Sequence, residues 1–147
     1  MDADFTHPPY LIPKMINKIK KENINLIIGS RSIKYSKIKK WPLKRKIISK
    51  IAIILAKPIT NIKDPMSGFF FMKKEVIKNV KLKPKGYKIL LEILSKGNYN
   101  SVSEIPIIFK NRIKGDSKLT LKVYLEYLIQ LYNLYLYKIK KKFLKIN

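Results

Sequence analysis

The sequence predicts an α/β chain, because short apolar runs typical of buried strands alternate with segments whose apolar residues recur at helical spacing. The strand-like runs occupy residues 24–30, 69–72 and 99–109. The helical segments occupy residues 14–20, 42–57, 86–96 and 119–144. With 147 residues and an apolar fraction of 46%, the chain is long and apolar enough to form a folded domain.

The first helix and strand are neighbours in the sequence. The helix follows Pro13 and extends through Lys20, with apolar residues three or four apart, namely Ile12, Met15, Ile16 and Ile19. The run at 24–30 predicts a buried strand, which Gly29-Ser30-Arg31 closes. A lysine-rich loop is expected over residues 32–40.

The second helix is predicted over residues 42–57, with Pro42 at its first position, where the missing N–H of proline is tolerated. Apolar residues form one stripe of this helix, namely Leu43, Ile47, Ile48, Ile51, Ile54 and Leu55. The opposite stripe consists of Arg45, Ser49, Ala52 and Ala56. Because Arg45 and Ser49 are four residues apart, both side chains can contact one anion. The periodicity equally allows a core-packed helix with a solvated back.

The second half of the chain predicts a turn, two strands and two helices. The turn, over residues 64–68, precedes a short buried strand. In the helix over residues 86–96, three leucines face inward and Glu92 lies on another face. Pro106 places the 99–109 strand at a sheet edge or ends it early, because proline cannot donate a hydrogen bond to a neighbouring strand.

The helix predicted over residues 119–144 is rich in leucine and tyrosine. It carries five tyrosines, namely Tyr124, Tyr127, Tyr132, Tyr135 and Tyr137. Tyrosine is favoured at a membrane–water boundary, and the Lys138–Lys142 cluster suits phosphate head groups. Trp41 is also expected at the depth of the lipid head groups. The sequence therefore predicts an amphipathic interfacial helix, and the alternative is a helix that packs on its own domain or on a partner helix.

Composition excludes several kinds of site. The chain has no cysteine and a single histidine, His7, so disulfides, thiolate metal sites, zinc sites and histidine-based triads are not expected. No run of 18 apolar residues occurs, so no transmembrane helix is predicted. The net charge of +24 comes from lysines spread along the chain without a nucleic-acid-binding motif, so no nucleic-acid partner is predicted.

Arginine is rare in this basic chain. Of the 33 basic residues, the arginines are Arg31, Arg45 and Arg112. Arg31 closes the first strand, Arg45 lies in the first turn of the second helix, and Arg112 lies in a polar loop. The planar guanidinium can bind a phosphate through two parallel hydrogen bonds, which an ammonium cannot do. This placement favours anion binding, although chance placement on a solvated surface would explain any one arginine alone.

Asp2 and Asp4 are two carboxylates separated by one residue. In an extended segment both can point toward one Mg²⁺ or Mn²⁺, which takes carboxylate oxygens and keeps positions for a substrate diphosphate. The pattern predicts a metal site, and an Asx turn is the simpler alternative.

Six motifs occur in a fixed order along the chain. They are Met1-Asp-Ala-Asp…His-Pro-Pro, Gly29-Ser-Arg, Trp41-Pro…Lys-Arg…Ser49, Asp64-Pro-Met-Ser-Gly-Phe-Phe, Gly86-Tyr-Lys-Ile-Leu-Leu-Glu and Asn111-Arg…Gly-Asp-Ser-Lys. Over about residues 1–120 this series resembles the polyprenyl-phosphate sugar synthases, and most closely the dolichyl-phosphate mannose synthases of archaeal type. The resemblance implies an inverting family 2 glycosyltransferase with the nucleotide-diphospho-sugar transferase (GT-A) fold and amphipathic interfacial helices.

The resemblance also implies a role for each matching residue. Asp2 and Asp4 would hold Mg²⁺ or Mn²⁺ on the nucleotide diphosphate. The residues that bind substrate phosphate would be Arg31, Arg45, Ser49 and Arg112 for the acceptor lipid and Lys118 near the sugar nucleotide. Asp64 would face the sugar or orient the phosphate nucleophile, and Arg31 and Arg45 would be catalytic with it. Thr6 stands where some relatives supply a further metal contact, so that contact is left open.

The implied reaction moves a hexose, mannose from GDP-mannose, to dolichyl or polyprenyl phosphate. It would take place at the cytoplasmic face of the cell membrane, on a peripheral or monotopic protein. A UDP-hexose donor and a non-catalytic membrane-surface role are the alternatives. Residues 1–118 would be the C-terminal portion of the catalytic domain, and residues 119–147 an interfacial helix with a basic tail. Because the family's nucleotide-binding half precedes the metal motif, we expect this chain alone to bind sugar nucleotide weakly.

Overall fold

The computed structural model describes residues 6–38, 41–83, 88–109 and 120–144. The helices in these residues are α1 (Ile12–Lys21), α2 (Leu43–Ala56), α3 (Ile89–Lys96) and α4 (Leu121–Leu144). The strands are β1 (Leu26–Ser30), β2 (Lys37–Ile38), β3 (Phe70–Met72), β4 (Val102–Pro106) and β5 (Ile108–Phe109). Short 3-10 helices lie at Pro9–Leu11 and Lys74–Ile77. The predicted α/β class is confirmed.

β1 is the central strand of a three-stranded sheet. All five of its residues are buried, as expected for a strand that is covered on both faces. β3 pairs antiparallel with one edge of β1, and β4 pairs parallel with the other. β2 and β5 form a second parallel pair; β2 follows β1 along the chain after a loop, and β5 follows β4 after one residue. Arg31 is therefore placed at the carboxyl ends of two parallel strands, a common position for ligand sites.

Helices cover both faces of the sheet. Successive side chains of β1 point to opposite faces, so this strand contributes apolar residues to both. Ile27 packs on one face with Met15 and Ile19 of α1. Leu26 and Ile28 pack on the other face with leucines of α3. A third apolar cluster joins α4 to the end of α2 and to α3.

Gly29 lets the chain after the turn pack directly on β1. A Cβ at this position would lie 2.4 Å from a ring carbon of Phe69 and 2.9 Å from a methyl carbon of Ile107. The Ser67 hydroxyl donates a hydrogen bond to the Gly29 carbonyl at 2.6 Å. The 64–68 turn is thereby held against the end of β1, where Arg31 follows.

The outer faces of α2 and α4 are apolar. On α2, the small-residue stripe faces the protein, with Ala56 fully buried, whereas Leu43, Ile47, Ile51 and Ile54 are at least half exposed. The core-packed alternative for the apolar stripe of α2 is therefore wrong. On α4, the residues at least half exposed include Leu121, Leu125, Leu128, Ile129 and Ile139. Among the described helices, none has the length and apolar character needed to cross a membrane.

Two tyrosines fasten α4 to α2. The Tyr127 hydroxyl donates to the Ala52 carbonyl at 2.6 Å, and the Tyr135 hydroxyl donates to the Leu55 carbonyl. The contacts of Tyr127 and Tyr135 agree with the alternative in which this helix packs on its own domain. Tyr132, by contrast, is 63% exposed on the outer face.

Several element boundaries differ from the predictions. Pro42 precedes α2 rather than opening it, because its ψ of 148° is not helical. The 99–109 run divides into β4, which ends at Pro106 on a sheet edge as predicted, and β5. β2 lies in the segment predicted as a loop, because two residues are too few to show an alternating pattern. β3 is only partly buried, with Phe71 38% exposed, because it also lies at a sheet edge.

Glu92 of α3 is buried, contrary to the face predicted for it. One of its carboxylate oxygens accepts a hydrogen bond from the Lys96 ammonium and another from the Lys83 backbone N–H. Such partners make burial of a carboxylate tolerable, and they cannot be read from helical periodicity.

Candidate functional site

Arg31 and Asp64 form a two-pronged ion pair beyond the carboxyl end of β1. Arg31 Nε donates to Asp64 Oδ2 and Arg31 Nη2 donates to Oδ1, each at 2.8 Å. The Arg31 backbone N–H also donates to Oδ2 at 2.8 Å. Asp64 is fully buried, while 11% of the Arg31 side chain is exposed. Asp64 thus fixes the orientation of a guanidinium that remains accessible at one edge.

The turn that carries Asp64 is tied to both parallel strands. Glu104 of β4 accepts hydrogen bonds from the backbone N–H groups of Lys63 and Asp64, at 3.0 and 3.1 Å. The bond from Ser67 to Gly29 ties the same turn to β1. The turn that carries Asp64 is therefore held against both parallel strands, which fixes the position of its carboxylate.

Opposing effects act on the pKa of Asp64. Burial disfavours the charged form and by itself would raise the pKa of the carboxyl. The hydrogen bonds and positive charge of Arg31, with the charge of Lys88, outweigh burial and hold the pKa below its ordinary value of 3.8. Asp64 is consequently an ionised and weakly basic carboxylate at neutral pH, suited to orienting Arg31 rather than accepting a proton.

The Trp41 ring contacts both arginines of the site. Arg45 Cζ lies 4.1 Å and Arg31 Cζ lies 5.6 Å from the ring centroid. Phe109 meets Trp41 edge-on, with 5.6 Å between ring centroids. Trp41 is only 7% exposed, so its ring is buried within the fold, and its expected position at lipid head-group depth stays a prediction. Its contacts with charged and aromatic neighbours keep the ring inside the fold.

Three of the predicted phosphate ligands line one cavity. Arg31, Arg45 and Ser49 surround a volume of about 120 Å³, together with Lys88 and two tyrosines of α4. Arg31 comes from the end of β1, whereas Arg45 and Ser49 come from consecutive turns of α2, as the four-residue spacing predicted. The cavity therefore concentrates positive charge and a hydroxyl donor, the groups that bind a phosphate. Their role as ligands remains a prediction.

A second and larger cavity of about 730 Å³ lies along another face of α2. Trp41 and Ser49 line both cavities. The larger one is rich in lysines, namely Lys46, Lys50, Lys57 and Lys63. The surroundings of the arginine cavity are thus also positively charged.

Four predicted site residues lie outside the described residues, namely Asp2, Asp4, Arg112 and Lys118. The residues that the structure describes contain no group of three or more histidine, cysteine or acidic side chains that could hold a metal ion. The predicted Mg²⁺ or Mn²⁺ site therefore rests on Asp2 and Asp4 and stays a prediction. The boundary predicted between residues 118 and 119 also lies outside the described part of the chain.

Sequence reasoning missed the site contributions of Lys88, Tyr127 and Trp41. Lys88 stands just before α3 and is one lysine among many, so nothing in its local sequence distinguishes it. Tyr127 reaches the cavity because α4 packs on α2, a tertiary contact. For Trp41 a signal was present, since it precedes Pro42 at the start of the helix that carries Arg45.

Comparison with known proteins shows which family and which proteins the sequence of this chain resembles. Residues 1–81 match the sequence model of Glycosyl transferase family 2. A dolichol-phosphate mannosyltransferase of Pyrococcus furiosus is 49% identical over 138 residues, which cover 91% of this chain and 39% of that protein. Proteins of the same name from Saccharomyces cerevisiae and Mycosarcoma maydis are each 38% identical. They cover 94% of this chain in both cases, and 54% and 48% of their own lengths. The chain thus spans about half the length of the curated relatives it matches.

Proposed function

The chain belongs to glycosyl transferase family 2, and we propose that it takes part in transfer of a hexose, mannose from GDP-mannose, to the phosphate of dolichol or another polyprenol. The family resemblance and the GT-A fold expected from the sequence are confirmed by the family match. The names of the relatives support the acceptor and the sugar. The observation that carries the proposal is the cavity in which Arg31, Arg45 and Ser49 meet.

The acceptor phosphate binds in this cavity. A phosphate monoester carries between one and two negative charges near neutral pH. Two guanidiniums and the Lys88 ammonium offset that charge, and Ser49 supplies a hydroxyl donor. α2 adds to the attraction, because the Pro42 that precedes it makes no side-chain cap and Arg45 lies in its first turn, the positive end of the helix dipole.

Asp64 orients the phosphate nucleophile through Arg31. Both of its carboxylate oxygens are engaged by Arg31, so the carboxylate acts on the guanidinium and the guanidinium acts on the phosphate. This is one of the two roles that the sequence left open for Asp64. In this arrangement Asp64 is a positioning residue, while Arg31 and Arg45 contact the reacting group.

The chemistry requires no general base on the acceptor. A phosphate oxygen of the acceptor forms a bond to the anomeric carbon of the sugar, the bond from that carbon to the nucleoside diphosphate breaks, and the configuration inverts. The protein's task is to bring two anions together in line, which cations and fixed geometry accomplish. A Mg²⁺ or Mn²⁺ ion held by Asp2 and Asp4 would supply positive charge to the leaving diphosphate.

The protein acts at a membrane surface, and we place it on the cytoplasmic face. The exposed apolar rows of α2 and α4 and the lysines beside them have the composition of an interfacial amphipathic surface. The arginine cavity lies between these two helices, so a lipid phosphate can enter it while the hydrocarbon chain stays in the bilayer. No nucleic-acid partner is needed to account for the basic charge.

Calorimetry with a short-chain isoprenyl phosphate tests the acceptor site. Arg45→Gln should abolish measurable binding, whereas Lys44→Gln, which removes one charge from the same helical turn but does not line the cavity, should retain it. Equal losses in both variants would show that only diffuse charge attracts the ligand.

The donor is tested separately, with labelled GDP-mannose and labelled UDP-glucose in the presence of dolichyl phosphate. Label appearing in the lipid from GDP-mannose supports the proposed reaction, and label from UDP-glucose supports the alternative donor. Absence of label from both, when the family's nucleotide-binding half is supplied as a separate polypeptide and isoprenyl phosphate still binds, would contradict the reaction and leave the acceptor site standing.

A further inference from the structure

The indole N–H of Trp41 has no hydrogen-bond partner among the described residues. Trp41 is more than nine-tenths buried, so water does not readily satisfy this donor. A buried donor without a partner is uncommon, because burial removes the hydrogen bond that water would supply. An unsatisfied donor at this place therefore calls for an acceptor that arrives with a ligand.

The surroundings of Trp41 indicate what that acceptor is. Arg31 and Arg45, the two cations of the cavity, both lie within cation–π distance of the ring. Trp41 itself lines the cavity together with Ser49. An anion held by two guanidiniums would lie close to the indole, and a phosphate has oxygens left after both arginines are satisfied.

We propose that Trp41 is a further binding residue of the acceptor site, whose Nε1–H donates a hydrogen bond to an oxygen of the lipid phosphate. The proposal rests on the acceptor site described above and adds a neutral donor to its charged ones. Trp41 then has two functions, since its ring contacts both guanidiniums and its N–H contacts the phosphate.

The competing explanation is that Trp41 serves only as an aromatic spacer between arginines. Trp41→Phe separates the two explanations, because phenylalanine keeps an aromatic face and loses the donor. The indole N–H has no partner without ligand and gains one with it. Its removal should therefore weaken phosphate binding more than it destabilises the free protein. The variant should therefore bind phosphate ten- to hundredfold more weakly, in the range of a hydrogen bond to a charged group.

The chain contains one tryptophan, so its indole N–H gives a single resonance that needs no assignment. We would titrate the 147-residue chain with a short-chain isoprenyl phosphate, and separately with inorganic phosphate, and follow this resonance by ¹H–¹⁵N NMR. A downfield movement of the indole proton that saturates with calorimetric binding is the expected result. Movement of the indole resonance with both ligands would show that phosphate alone is sufficient. Movement with the isoprenyl ligand only would show that the isoprenyl group is needed to position the phosphate.

Three results would overturn the proposal. An indole proton that stays in place while the ligand binds would leave Trp41 as a spacer only, whatever Trp41→Phe does. Wild-type affinity in Trp41→Phe, with Tyr132→Phe as an aromatic control on the outer face of α4, would show that the donor contributes nothing. In both cases the acceptor site itself would stand. Absence of any phosphate binding to the wild-type chain would remove the acceptor site and the role of Trp41 together.

Discussion

Replacing Asp64 by asparagine should destabilise the protein strongly and disable the site. The change removes the negative charge that pairs with Arg31 through three hydrogen bonds of 2.8 Å. Breaking a buried pair from one side costs about 3–5 kcal/mol, because the remaining charge is left uncompensated. Arg31 keeps 11% of its side chain exposed and borders a cavity, so we expect about 3 kcal/mol, the lower end of that range.

Urea unfolding monitored by the fluorescence of Trp41, the single tryptophan, measures this cost directly. Glu22→Gln is the matched control, because it breaks the exposed Lys18–Glu22 pair, in which Glu22 keeps 53% of its side chain accessible. The control should cost no more than about 0.5 kcal/mol. A loss below about 1 kcal/mol in Asp64→Asn would contradict this expectation, since it would show that the Arg31 charge is satisfied without Asp64.

The same pair predicts the acid dependence of stability. The pKa of Asp64 is lowered in the folded protein, so its stabilising contribution is fully present above the unfolded value of 3.8. That contribution is lost as the pH falls below 3.8 and through the folded pKa. The difference in unfolding free energy between the wild type and Asp64→Asn should therefore shrink in this acidic range and stay constant from pH 5 to 7.

Three other variants test the fold and the surface. Gly29→Ala should cost about 2 kcal/mol in urea unfolding, because the added Cβ would meet the Phe69 ring at 2.4 Å. Tyr127→Phe should cost about 1 kcal/mol of unfolding free energy through loss of the hydrogen bond to a carbonyl of α2. In the wild type, burial and the nearby Tyr135 hydroxyl raise the pKa of Tyr127, so this residue should not ionise near pH 10. The double change Ile47→Ser and Ile51→Ser should weaken vesicle binding on the order of thirtyfold while leaving stability within about 0.5 kcal/mol, since both side chains are half exposed.

Each of these has a specific contrary outcome. Unchanged stability in Gly29→Ala would mean that Phe69 can move away from β1. A full spectroscopic titration of all tyrosines near pH 10 would contradict the buried Tyr127 hydroxyl. Unchanged vesicle binding in the Ile47 and Ile51 variant would exclude the outer face of α2 from the membrane contact.

The sequence predicted those parts of the fold that depend on local pattern. β1 is a short apolar run, and the interior of α1 follows three- and four-residue spacing, so both were found at nearly the right bounds. Arg45 and Ser49 fell on one face of α2 for the same reason, and that face does line the cavity. The end of β4 at Pro106 followed from the missing backbone donor of proline.

The parts that were missed depend on tertiary contacts. Arg31 and Asp64 are 33 positions apart, and no periodicity links the two. The burial of Trp41 was not predicted, because its contacts with Arg31 and Phe109 join separate elements of the fold. Which face of α2 packs inward was also undetermined, because either of its stripes can face a core.

Calorimetric titration of Arg45→Lys with a short-chain isoprenyl phosphate tests whether the arginine cavity binds the acceptor phosphate. Lysine keeps the charge and loses the planar fork, so we expect binding to fall at least tenfold, while Lys44→Arg on the same turn binds as the wild type does. Wild-type affinity in Arg45→Lys would contradict the claim that this cavity recognises a phosphate through its arginines.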